Sequence, residues 1–268
     1  MASVEIRRVT DKKSLEAFIQ FHYDLYRGNQ YDAPNLHSDE LHTLSKDRNA
    51  AFEFCEAEYF LAYKDGKVVG RIAAIINHRA NEAWKVKNVR FGWMDFIDDK
   101  EVSHALLDAV AAWGRERGME KMNGPVGFTD FDREGLLVEG YEYNAPMAVL
   151  YNYPYYVDHM AAYGLEKEVD WIEYQIFPPK EVPERMARVG KIVMERNHLH
   201  FYKPKNFREL VARYGHSYMD VFDQAYQALY NFQPLTEHQK EYYAKMYFPL
   251  LNFDFVTIVV NDKDEVEV

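Results

Sequence analysis

Apolar and polar positions along this chain succeed one another in an order that reads strand, helix, helix, hairpin, strand, helix, strand, helix, strand. Val4 to Val9 alternates as a short strand, and Asp11 to Arg27 then repeats apolar residues at helical spacing, burying Leu15, Phe18, Ile19, His22 and Leu25. A Pro/Asn/Asp-rich run, Asn29 to Asn35, stops that helix, and a second short helix is expected over Ser38 to Ser45. Glu58 to Tyr63 and Lys67 to Asn77 are apolar runs joined by Lys64-Asp65-Gly66, whose Asp-Gly step supplies the positive φ of a tight hairpin. Val89 to Phe96 reads as a strand leading straight into a helix, where Val102, Ala105, Leu106, Ala109, Val110 and Trp113 define one face. Asp98 or Asp99 is its N-cap, Gly118 its stop, and a short strand follows Met119.

The stretch Asn123 to Pro146 is rich in turn residues and too long for a simple connector, which marks it as functional. Beyond it, Pro154 to Tyr163 predicts a helix stopped by Gly164, and Lys167 to Phe177 alternates as a strand. Residues 178–183, Pro-Pro-Lys-Glu-Val-Pro, read as a linker between a domain at 1–177 and a second at 184–268. In the second part, helices are expected at Glu184 to Arg196, Phe207 to Tyr230 and Glu237 to Phe248, with strands at His198 to Tyr202 and Phe253 to Val260. Tyr59 to Gly70 and Phe255 to Val268 repeat one strand-hairpin-strand step, so the second part reads as a copy of the first cut off partway, against the alternative of two unrelated domains that both contain a hairpin. Its open edge makes a homo-oligomer possible.

Composition narrows the partners. The chain has 268 residues, 32 basic and 43 acidic, for a net charge of −11, which disfavours nucleic acid and anionic membrane surfaces. Cys55 is the only cysteine, so neither an internal disulfide nor a cysteine zinc site is available. The N-terminal residues lack the apolar segment of a signal peptide, and no run approaches a membrane span, so a cytoplasmic protein is expected. The histidines show no ligand spacing, and no metal is expected.

Three groups of residues carry candidate chemistry. Asp98, Asp99 and Glu101 crowd the start of the central helix; capping accounts for them, and binding of a cationic substrate is the alternative. Glu134, Glu139 and Glu142, with Tyr141 and Tyr143, are placed to line an acceptor pocket in the long loop, against the plainer reading of a solvated acidic loop. Asn152, Tyr155, Tyr156 and His159 form a polar aromatic cluster near the late helix, for which aromatic packing is the plain alternative.

The element order in residues 4–177, the KDGKVVGRIAAI hairpin, the junction Asp95 to Leu107 and the late helix ending at Gly164 resemble the GCN5-related N-acetyltransferase (GNAT) superfamily. GPVGFTDFDREGLLVEGYE (Gly124 to Glu142), followed by a YNYPYY run, is similar to a bacterial subgroup of tandem GNAT-like proteins. The resemblance implies an α/β fold with a mixed central sheet flanked by helices. It also implies acetyl-CoA or another acyl-CoA as co-substrate, and a small-molecule or protein amine as acceptor. The family binds pyrophosphate through Q/R-x-x-G-x-G/A at the helix start, but those positions fall on Asp98, Glu101 and Ser103 here. The implied cofactor-binding residues are Phe96, Ile97, Lys100, Val102, Ser103 and His104. The family's acid tyrosine falls on Met160, leaving Tyr155, Tyr156 and His159 as nearby catalytic candidates, with Glu139 from the long loop. Two alternatives stand beside the enzyme: a GNAT-like module that binds a ligand or a second GNAT-like unit without catalysis, and a tandem aminoacyl transferase. The carboxylates at the helix start are expected to weaken acyl-CoA binding there.

Overall fold

The computed structural model of the protein describes residues 3–146, 149–215, 217–247 and 250–268. The chain divides into two units, Met1–Asp170 and Trp171–Val268.

The first unit is built on a five-stranded sheet in the order β1 (Glu5–Arg8), β2 (Cys55–Lys64), β3 (Lys67–Asn77), β4 (Asn88–Phe96), β5 (Lys121–Asn123). The first three pairings are antiparallel and the last is parallel. Helices α1 (Lys12–Leu25) and α2 (His37–Leu44) cover one face; α4 (Lys100–Glu116) and α5 (Tyr155–Tyr163) cover the other. This is the mixed, mostly antiparallel, helix-flanked sheet that the resemblance implies.

Period-two alternation makes the two cores. On β2, Tyr59 and Leu61 face α1 while Phe60 and Ala62 face α4; on β3, Ala73 and Ile75 oppose Ile72, Ala74 and Ile76 in the same way. Val102, Leu106, Val110 and Trp113 bury the helical stripe of α4, each contributing about 1.5–3 kcal/mol. Gly70 makes this docking possible, since a Cβ there would lie 2.8 Å from a Leu106 methyl. A short helix α3 (His78–Trp84), capped by the Asn77 side chain, was not legible in the pattern.

One expected strand is missing. Residues 165–183 contain no helix or strand, although 167–177 alternate correctly. A lone strand satisfies none of its backbone groups, and no sheet edge pairs with it among the described residues. Trp171, Ile172, Tyr174, Ile176 and Phe177 are consequently exposed.

The second unit pairs β6 (Leu199–Tyr202) with β7 (Ile258–Asn261) antiparallel around Leu210, Ile258 and Val260. Its helices are α6 (Glu184–Arg196), α7 (Phe207–Tyr214), α8 (Ser217–Tyr226) and α9 (Glu237–Tyr247). The long helix expected from Phe207 to Tyr230 is broken after Tyr214, where Gly215 takes φ +58, and His216 lies outside the described residues. Phe248, the expected end of α9, also lies outside them. The expected strand from Phe253 begins only at Ile258, because Asn252 caps a 3-10 turn over Phe253–Phe255.

Candidate active site

Strand β4 is irregular where it matters. Arg71 opposes Asp95 and Ala73 opposes Gly92, so Trp93 and Met94 together face the single residue Ile72. This is a β-bulge, with Trp93 at φ +45, a left-handed conformation rare for a bulky residue. Such a bulge takes backbone groups out of the ladder and re-aims the chain. Next to it β5 leaves. The strands pair at Asn88–Lys121, Val89–Met122 and Arg90–Asn123, and Val126 N–H still donates to Phe91 O at 2.8 Å. Gly92 permits this last approach, since a Cβ there would lie 2.6 Å from Val126 O.

Past that point tyrosine hydroxyls take the place of a neighbouring strand. Phe96 N–H donates to Tyr156 Oη at 3.3 Å, and Tyr155 Oη–H donates to Phe96 O at 2.6 Å. Tyr156 also donates to Asp95 Oδ1 at 3.2 Å and accepts from Tyr26 at 3.0 Å. Tyr156 is therefore fully committed as well as buried, whereas Tyr155 keeps a half-buried hydroxyl with one partner.

Behind the bulge lies a buried charge network. Arg71 Nε donates to Asp95 Oδ2 at 2.7 Å, and His22 Nδ1 lies 3.0 Å from the same oxygen. His22 Nε2 is 3.4 Å from Asp32 Oδ2, and Glu40 accepts from Trp93 Nε1 at 2.9 Å. Burial alone would push His22 down, but the Asp95 charge and the bonds to Asp32 and Asp95 raise it to about 9. Asp95 is also desolvated, yet the Arg71 and His22 charges hold it below the usual carboxylate range. The network so fixes the orientation of Trp93, within the bulge, and of Asp95, just past it. None of Asp32, Glu40, Arg71 and Asp95 was singled out in the sequence, and His22 was read only as a core position. The available signal was an ionisable residue inside each apolar run, Arg71 in KVVGRIAAI and Asp95 in VRFGWMDF.

At the start of α4 the expected cofactor residues separate into two groups. Phe96, Val102 and Ser103 are buried; Ile97 and His104 are partly covered, and Lys100 is exposed. Ser103 Oγ lies 2.8 Å from His159 Nδ1, and His159 Nε2 lies 3.0 Å from Asp98 Oδ1. Serine, imidazole and carboxylate follow one another as in a hydrolytic triad but with the two ring nitrogens exchanged, Nδ1 facing the serine and Nε2 the carboxylate. Ser103 is fully enclosed, however, so this chain of bonds pins α5 to α4 and offers no nucleophile. Asp99 caps the helix by accepting from Glu101 N–H at 2.9 Å. Lys64, from the end of β2, bonds Asp99 at 2.7 Å and Glu101 at 3.3 Å, and holds the Asp99 carboxyl below its usual range. The acidic start of α4 thus has a counter-ion that the linear sequence did not reveal.

The long loop folds back over the end of β5, where Gly135 N–H donates to Pro125 O at 2.8 Å. This carries Asp130, Asp132 and Glu134 into partial burial near Arg90. Desolvation raises Asp130 to about 6 and Asp132 to about 7. Glu134 reaches about 7 through desolvation and the neighbouring Asp130 and Asp132 charges. Asp132 is used structurally, accepting from Phe128 N–H at 2.7 Å and Thr129 N–H at 3.2 Å. Glu139 and Glu142 are exposed. Of the loop acids named from sequence, Glu134 alone is brought to the β4–β5 divergence with its carboxyl poised near neutrality. Among the described residues, no group of three His, Cys, Asp or Glu side chains could hold a metal ion.

No family model matches the chain. Among curated proteins, Protein YghO of Escherichia coli is 29% identical over 243 residues, which span 87% of this chain and 59% of that protein. A bacterial ceramide synthase of Caulobacter vibrioides is 26% identical over 216 residues, spanning 78% of this chain and 54% of that protein. The chain thus spans between half and three fifths of the length of these relatives. Among solved structures, the aminoglycoside acetyltransferase AAC(6')-Iy is 17% identical with a TM-score of 0.40, covering 66% of this chain and 100% of that one. An acetyltransferase from Clostridium acetobutylicum with acetyl-CoA is 10% identical with a TM-score of 0.38, covering 64% and 96%.

Proposed function

We propose that the first unit is an acyl-CoA-dependent N-acyltransferase that joins the acyl group to an amine at the divergence of β4 and β5. The observations that carry this reading are the Trp93–Met94 bulge on β4, where such an irregularity frees backbone groups to meet a thioester carbonyl, and the desolvated Glu134 carboxyl near Arg90 of the same strand. Glu134 takes a proton from the acceptor ammonium, and the neutral amine attacks the thioester carbonyl. The C–N bond forms, the C–S bond breaks, and the departing thiolate receives a proton from Tyr155, whose hydroxyl desolvation keeps protonated; the second proton, shed by the attacking nitrogen as it becomes the amide, restores Tyr155. Glu134 suits the base role because a carboxyl near pH 7 both accepts and releases protons at working pH.

The acyl donor supplies the thioester and its leaving group. Lys64, already bonded to Asp99 and Glu101, and Lys100, the first residue of α4, are the cations that would meet its phosphates there. Similarity to a ceramide synthase supports an N-acyl transfer, since a ceramide is the amide of a fatty acid and a long-chain amino alcohol. It makes long-chain amino alcohols the first acceptors to test. Release of free CoA thiol should require both an acyl-CoA and an amine; thiol release that ignores the amine would overturn the proposal.

A second reading has its own support. Asp99 occupies the amide that an incoming phosphate would use at the start of α4, which favours a module that binds without catalysis. It predicts ligand binding with no thiol release under any acceptor. Whether residues 184–268 belong to a second GNAT-like unit is part of the same proposal, supported by the repeated strand-hairpin step.

A further inference from the structure

Trp93 stands at a backbone position that glycine would fill without steric cost. Its φ of +45 lies in the left-handed region, which disfavours a bulky residue by about 5- to 30-fold against regular strand. The strain persists only if the side chain is held strongly enough to offset it.

The indole is held on two sides, by groups distant in sequence and outside the sheet. Its Nε1–H donates to Glu40 Oε2 of α2 at 2.9 Å, and its ring meets that of Phe128, in the long loop, at 5.5 Å between centroids. Glu40 is buried and accepts on both oxygens, taking Asn35 Nδ2 on Oε1 at 2.6 Å, with Arg71 4.0 Å from Oε2. Phe128 is fully buried; its N–H donates to Asp132 at 2.7 Å and its carbonyl accepts from Asn77 at 2.8 Å. A charge-assisted bond to such a carboxylate favours the anchored arrangement by about 10- to 150-fold, enough to offset the left-handed φ.

We propose that Trp93 is a positioning residue for acyl transfer. The Glu40 bond holds the β4 bulge in the conformation that presents its backbone groups to the thioester carbonyl, and the Phe128 contact ties that setting to the loop that carries Glu134. Resting on the transferase reading, this role makes the acyl site depend on α2, which itself touches no substrate. Without the anchor the strain relaxes, residues 93 and 94 turn, and the backbone groups lose their aim. An indole that merely packed against its neighbours would affect stability and leave the thioester untouched.

Isotope-edited infrared spectroscopy of the full chain with carbonyl-labelled acetyl-CoA tests it, since hydrogen bonds to the thioester oxygen move its band to lower wavenumber. Wild type is expected to shift the band. Trp93→Phe, which keeps a ring against Phe128 but has no N–H, should lose the shift and lower kcat for amine-dependent thiol release at least about tenfold. Its Kd for CoA, which has no acyl carbonyl, should change by less than about twofold. Glu40→Leu should behave alike, and Glu40→Gln, whose amide oxygen still accepts, should recover the shift and bring kcat to within about threefold of wild type. Thermal unfolding checks that each variant is folded. A shift and a kcat that persist in Trp93→Phe, or a parallel loss of CoA affinity, would overturn the positioning role and leave the transferase reading in place. An unshifted band in wild type with acetyl-CoA bound would overturn the bulge as the acyl site and this role with it, whereas a wild type that binds no acetyl-CoA would overturn the transferase reading itself.

Discussion

Replacing His22→Gln isolates the electrostatics behind the β4 bulge. Histidine in an unfolded chain titrates near 6.5, and the folded site raises it to about 9 through Asp95 and Asp32. A folded value above the unfolded one means that the protonated imidazole stabilises the native state fully below pH 6.5. The stabilisation is lost as pH rises through 9. The interval corresponds to about 3 kcal/mol, an upper figure because the His22–Asp95 attraction is shared between the two groups. Glutamine keeps a hydrogen-bonding amide beside Asp95 but carries no charge, so it incurs a cost that does not titrate. Urea unfolding followed by fluorescence of the first unit's tryptophans, Trp84, Trp93 and Trp113, should therefore show wild type ahead of the variant by several kcal/mol at pH 6. The gap should narrow by about 1.4 kcal/mol per pH unit between 6.5 and 9 and then level off. A gap that is flat across this window, or that widens with pH, would refute the assignment of a charged His22 to the network.

Further outcomes follow from the same geometry. Glu134→Gln should lower amine-dependent thiol release about 100-fold or more with little effect on acyl-CoA binding, and wild-type rates should rise through an apparent pKa near 7 as the carboxyl ionises, read by steady-state kinetics across pH. Ser103→Ala should leave transfer intact while reducing stability by about 1 kcal/mol, measured by chemical denaturation, because the serine pins α5 and does not react. Lys64→Ala should weaken CoA binding and Glu101→Gln should strengthen it, compared by calorimetric titration, since the first leaves two carboxylates uncompensated and the second removes one.

The central architecture was legible because its period was unambiguous. Strict alternation in β2 and β3 put Tyr59 and Leu61 on one face and Phe60 and Ala62 on the other, and the stripe from Val102 to Trp113 could only be a one-sided helix. What local pattern could not supply was partnership across the chain. Alternation from Lys167 to Phe177 is correct for a strand, yet a strand exists only where an edge receives it. The acidic turn at Asp98–Glu101 suggested repulsion of phosphate, yet Lys64, distant in sequence, brings a counter-ion. The imidazole of His159 suits proton transfer, but Ser103 and Asp98 saturate both ring nitrogens. Conversely Glu134 was one of several loop acids until the fold-back at Gly135 set it apart from the exposed Glu139 and Glu142.

The transfer itself is the most direct test. The full chain is incubated with palmitoyl-CoA and a long-chain 2-amino alcohol, and the N-acyl amide is quantified by mass spectrometry in wild type and in Glu134→Gln. The account predicts amide formed in step with released CoA by wild type, and a loss on the order of 100-fold in the variant. Acyl-CoA bound without amide formation, across short- and long-chain amines alike, would contradict it and leave a binding module in its place.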